Sequence, residues 1–130
     1  MRYNALMDIR IKTTDYQIVP EVSEYLDERI GVIERHLGIE ADGARVEVEI
    51  GRAAGKQHHS DYMWSATINV WTPAGVHAHA TNSEDSVNGA IDRAKEEIMT
   101  QLRKGRSAHR RIIRKTGAAV KNLLKFGSGE

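Results

Sequence analysis

The sequence predicts an α+β domain of order β-α-β-β-β-α, a four-stranded sheet with two helices on one face, followed by a basic C-terminal helix. Three observations lead there. Four short runs alternate apolar and polar residues, the period of a strand with one face on a core. Two longer runs repeat apolar residues at three- and four-residue steps, the stripe of a helix packed on one side. The charge also changes along the chain. Acids outnumber bases up to Glu97, whereas Arg103, Lys104, Arg106, Arg110, Arg111, Arg114, Lys115, Lys121 and Lys125 follow Ile98 against the single acid Glu130.

Met7, Ile9 and Ile11 alternate with Asp8, Arg10 and Lys12 and predict the first strand, its apolar side facing the core. Thr13, Thr14 and Asp15 break the pattern. Pro20 suits a first helical turn, where a missing N–H costs nothing. Val22, Leu26, Ile30, Ile33 and Leu37 then form one stripe, weakened slightly by Gly31 and ended by Gly38 in the left-handed conformation. Val46, Val48 and Ile50 predict a second strand, and Gly51 to Ser60 is a polar loop containing His58 and His59. Trp64, Ala66, Ile68 and Val70 share the inner face of a third strand. Thr72-Pro73-Ala74-Gly75 turns the chain, because proline presets φ and glycine accepts positive φ. Val76, Ala78 and Ala80 face inward on the return. Asn82 or Ser83 is positioned to cap the second helix, with Glu84 and Asp85 in its first turn and Val87, Ile91, Ala94, Ile98 and Leu102 as its stripe. Gly105 ends it.

At 130 residues the chain fits one domain plus an appendage. The absence of cysteine excludes disulfides and thiolate metal sites. Met1 to Lys12 alternates charged with apolar residues, unlike a signal peptide, and no apolar run is long enough to span a bilayer, so a cytoplasmic location is expected. There is no Gly-rich phosphate loop, no nucleophile elbow and no pair of carboxylates in an apolar setting, so an enzyme is not expected.

Two units are expected, 1–105 as the folded domain and 106–130 as a basic extension. On a helix at about 100° per residue, Arg110, Arg111, Arg114, Lys115, Lys121 and Lys125 gather on one side of Ser107 to Phe126. Ile112, Ile113, Val120, Leu123 and Leu124 fall on the other. Gly117 at its middle lowers helix propensity by roughly 1 kcal/mol. Clustered cations gain affinity for a polyanion by releasing counterions from phosphates. A solvated tail, a third packing helix and a membrane-surface helix are the competing readings. The last is disfavoured by a short apolar face without tryptophan.

In this order the residues resemble the ribosome hibernation factors, the family of the hibernation-promoting factor, the ribosome-associated inhibitor and the sigma-54 modulation protein. The resemblance covers Met7 to Lys104. It rests on Ala66-Thr67-Ile68-Asn69, Thr72-Pro73-Ala74-Gly75-Val76, Ser83-Glu84-Asp85, Ala90-Ile91-Asp92 and Gln101-Leu102-Arg103-Lys104, with a looser match over Val22 to Leu37. It implies a fold similar to double-stranded RNA-binding domains. It also implies a translation inhibitor, made under stress, that docks on 16S rRNA in the messenger and transfer RNA groove of the small ribosomal subunit and protects idle ribosomes. In the family the basic second helix contacts rRNA, and the matching positions here are Arg93, Arg103 and Lys104. Glu97 and Thr100 stand where members often carry Lys and Arg, and Glu97 is spaced to pair with Arg93. The resemblance is to the short form, so pairing of ribosomes through the separate dimerisation domain of the long form is not expected. No membrane and no DNA partner is expected.

The open face of the sheet, with Arg10, Lys12, Glu47, Thr67, Asn69 and His79, would meet solvent or a partner, and Arg10, Lys12 and His79 join the cations above as candidate RNA contacts. A histidine metal site at His77, His79, His58 and His59 is disfavoured because no acid or cysteine converges on it; stacking or hydrogen bonding on RNA fits these residues better. No metal or cofactor is expected. Trp64 reads as core, and Trp71 at the hairpin as a surface packing residue or a base-stacking platform, with core or packing the better fit for both. A regulatory module that binds another protein, or a general structured-RNA binder, are the alternative functions.

Overall fold

The computed structural model describes residues 7–53 and 64–105. Strand β1 (Asp8–Thr14) leads into helix α1 (Pro20–Leu37), and a 3-10 turn (Gly38–Ala41) joins α1 to strand β2 (Arg45–Arg52). Strand β3 (Trp64–Trp71), strand β4 (His77–Glu84) and helix α2, described over residues 87–105, complete the β-α-β-β-β-α order that the periodicities predict. The sheet runs β1-β2-β3-β4. β1 lies parallel to β2, as a helical crossover requires, and the two following pairs are antiparallel.

Alternation decides which face is covered. Val46, Val48 and Ile50 of β2, Ala66, Ile68 and Val70 of β3, and Ala78 and Ala80 of β4 are buried and point to one side. They form one cluster with Leu26, Ile30 and Ile33 of α1 and Ile91, Ala94 and Ile98 of α2, so both helices lie on that side. Leu26, Ile33, Val48, Ile68, Ile91 and Ile98, expected to be buried together, are each at most 2% exposed. An ion pair of 3.2 Å from Arg29 to Asp92 ties the two helices at their surface.

Four local readings are corrected. Ile11 was expected on the core and is 47% exposed. β1 is an edge strand, and the helices cover Met7 and part of Ile9 but not this far along it. Trp64 closes the end of the core instead of filling it: it is partly buried, meets Tyr16 edge-on at 5.1 Å and lies under Arg52 at 4.8 Å. Gly38 ends α1 at positive φ, but with φ 59° and ψ −122° it lies outside the left-handed helical well, and its N–H bonds to the Glu34 carbonyl. The largest difference is at the start of α2. β4 continues to Glu84 because Ser83 pairs with Ser65 and Glu84 with Trp64, so the ladder outcompetes the capping tendency of Asn82 and Ser83. The cap is Ser86, whose Oγ accepts the Gly89 N–H at 3.0 Å while its carbonyl takes the Ala90 N–H at 3.0 Å.

The turn between β3 and β4 forms as its sequence predicts. Gly75 sits at φ 91° and donates to the Thr72 carbonyl at 2.9 Å, and the Thr72 hydroxyl accepts the Val76 N–H at 3.1 Å.

Candidate nucleic-acid interface

Among the described residues Asp and Glu outnumber Lys and Arg by sixteen to ten. A polyanion is therefore repelled by the folded part as a whole, and any attraction must come from where the cations stand. Three places hold those that the sequence singles out.

The first is the outer face of α2. Arg93, Arg103 and Lys104 are all exposed. Arg93 does not pair with Glu97, as its spacing suggested; its Nε lies 3.6 Å from the Glu84 carboxylate. The physical reason is the longer β4, which brings Glu84 alongside the first turns of α2. Glu96 and Glu97 remain on this face and line a shallow groove with Arg93, Thr100, Gln101 and Lys104. Glu96 is bonded by Lys95, an almost buried lysine that also stands 3.8 Å from Asp92. That hydrogen bond, with the charge behind it, holds the Glu96 carboxyl below its ordinary range. The middle of α2 is thus neutralised, and its positive character is left to Arg103 and Lys104, exposed farther along the helix.

Two contacts that sequence reasoning missed fix this part of α2. The Gln101 side-chain amide accepts the His79 backbone N–H at 2.8 Å and donates to the His79 carbonyl at 2.7 Å. A helix side chain thereby occupies the free edge of β4 as a neighbouring strand would. Gly105 then approaches Val76 so closely that a Cβ there would fall 2.8 Å from Val76 Cγ1. This close contact carries no signal in the local sequence.

The second place is the open face of the sheet. Arg10 and Lys12 are there, but each stands by a carboxylate, Arg10 at 3.3 Å from Asp8 and Lys12 at 3.9 Å from Glu49. Arg45 is bonded to Glu47. A shallow groove lined by Arg10, Lys12, Glu47, Glu49, Thr67 and Asn69 carries as many acids as bases. His79 is exposed next to His77, and both rings are bonded to Asn69. Among the described residues no three His, Cys, Asp or Glu side chains converge as metal ligands, and no helix is long and apolar enough to cross a membrane.

The third place is the extension. Arg106, Arg110, Arg111, Arg114, Lys115, Lys121 and Lys125 lie outside the described residues, as do His58 and His59.

A family model described as sigma 54 modulation protein / S30EA ribosomal protein matches residues 9–110. The chain belongs to this family. The sigma 54 modulation and S30EA proteins are ribosome-associated translation inhibitors, not enzymes, and membership carries that class of activity to the chain. The matched span takes in β1 to α2 together with Arg106 and Arg110, and leaves Arg111, Arg114, Lys115, Lys121 and Lys125 beyond it. The chain is also similar to a solved structure, the N-terminal domain of Thermus thermophilus protein Y. The TM-score is 0.59 at 21% identity, over 75% of this chain and 98% of that one. At that identity the likeness speaks for the fold. No curated protein is detectably similar.

Proposed function

We propose that this chain inhibits translation by binding the small ribosomal subunit, on 16S rRNA in the groove used by messenger and transfer RNA, and so stabilises idle ribosomes in stressed cells. The observation that carries this reading is the family match across β1 to α2. The charge distribution supports it. With the middle of α2 neutralised by Glu84, Glu96 and Glu97, phosphate binding falls to Arg103 and Lys104 and to the basic extension, while Arg10, Lys12 and Arg93 contribute less because carboxylates stand beside them. On this reading 1–105 is a folded positioning domain and 106–130 an RNA-binding arm, two units with opposite charge.

Sedimentation through a sucrose gradient with 30S particles is the test, with the whole chain and with a chain ending at Gly105. The whole chain should travel with 30S and displace messenger RNA. The shortened chain should stay folded, because the four strands and two helices it keeps pack into one apolar cluster, but should bind much more weakly. Arg103→Ala with Lys104→Ala should flatten the plot of log affinity against log salt, each lost phosphate contact removing a slope of about 0.7 to 0.9. Equal affinity for free duplex RNA would favour a general RNA binder. Failure to bind either would favour a protein-binding modulator.

A further inference from the structure

Residues paired directly across a sheet point to the same side, so the open face is organised in rows. One row near the β3-β4 turn runs Arg45, Trp71, His77. The Trp71 and His77 rings are stacked, 4.7 Å between centroids and 7° from parallel. The next row places Asn69 beside His79. Asn69 Oδ1 accepts from both imidazoles, from His77 Nε2 at 3.0 Å and from His79 Nδ1 at 2.7 Å. One amide oxygen thus fixes the orientation of two exposed rings that stand 6.4 Å apart at 60°. Both belong to β4, the strand whose outer edge Gln101 closes. Lys104 follows one helical turn beyond Gln101, beside Gly105, which approaches Val76, and the sequence past Gly105 holds seven more cations.

We propose that this corner binds unpaired nucleotides of single-stranded RNA, with bases stacking on His77 and His79 and the backbone passing Lys104. The proposal rests on the ribosome-binding reading and names the kind of RNA that the sheet side of the domain takes. Oriented rings lose little freedom when a base stacks on them, and every base offers a π face. A duplex hides those faces and presents phosphates, which the rest of the open face, with equal numbers of acids and bases, does not attract. Lys104, which would hold the strand, follows one turn after Gln101 at the β4 edge that carries both rings.

The whole chain carrying Trp64→Phe keeps Trp71 as its one tryptophan, a reporter stacked on His77. A single-stranded 12-nucleotide RNA and the same RNA paired to its complement are titrated against it. The single strand should change Trp71 emission and bind more tightly than the duplex. His77→Ala with His79→Ala should weaken single-strand binding about tenfold, with circular dichroism and duplex affinity unchanged because both side chains are exposed. Lys104→Ala should lower the salt slope by about 0.7 and keep the emission change at saturation. Equal affinity for both RNAs that the double histidine substitution leaves untouched overturns the proposal, as does an unchanged Trp71 emission at saturation. Co-sedimentation separates the two readings. If the wild type travels with 30S and the double variant does so as tightly, the corner is not used and the ribosomal reading stands. If the single strand binds at the corner but nothing travels with 30S, the ribosomal reading falls and this one stands.

Discussion

Replacing Gln101 by alanine tests the contact that joins α2 to the edge of the sheet. The side chain makes two hydrogen bonds to one backbone unit, at 2.8 and 2.7 Å, and both are solvent-accessible. Because water can replace the lost partner at an exposed edge, each bond is worth the lower part of the usual net range, about 0.5 to 1 kcal/mol. Gln101→Ala should therefore cost about 1 to 2 kcal/mol, a fall in melting temperature of roughly 4 to 16 °C for a domain of this size. Gln101→Glu should cost at least as much, since a carboxylate can accept the His79 N–H but repels the His79 carbonyl. Urea unfolding followed by circular dichroism gives the free energy, and an unchanged denaturant slope shows that the folded state has kept its compactness. Amide hydrogen exchange adds a local readout, in which the His79 amide should lose protection while that of Ile68, in the middle of the sheet, shifts only with global stability. A variant as stable as the wild type with equal protection at His79 would refute the clamp.

Two further outcomes follow from particular contacts. Ser86→Ala should destabilise by about 1 kcal/mol through loss of the helix cap, whereas Asn82→Ala and Ser83→Ala should not show a capping loss, which thermal unfolding of the three variants compares directly. Glu96 has a lowered pKa, chiefly from the Lys95 hydrogen bond and then from its charge. A depressed carboxylate contributes stability that is complete above its unfolded value, near the ordinary 4.5, and is lost as pH falls through the folded one. Stability of Glu96→Gln should therefore converge on that of the wild type as pH falls below 4.5 and through the lowered folded value; since Glu96 is largely exposed, the difference at neutral pH is small and screened by salt.

The sequence by itself determined the fold. Apolar residues at period two and at three- and four-residue steps leave one arrangement that buries every stripe, a four-stranded sheet under two helices, and Val48, Ile68, Ile91 and Ile98 meet there as their spacing requires. It also carried the family, whose match extends over residues 9–110, and the separation of an acidic body from a basic end, which is a property of order along the chain. Tertiary structure decided what depends on partners distant in sequence. Whether Ser83 caps a helix or extends a strand turns on Ser65 across the sheet. Whether Arg93 meets Glu97 or Glu84 turns on how far β4 runs beside α2. Ile11 is apolar in any reading, yet its exposure follows from its strand lying at the edge. Gln101 and Asn69 carry no local signal for their roles. An amide becomes a clamp or a bridge only when the fold brings it to a free backbone edge or between two imidazoles, and that proximity arises from pairing across 22 and 10 residues of chain.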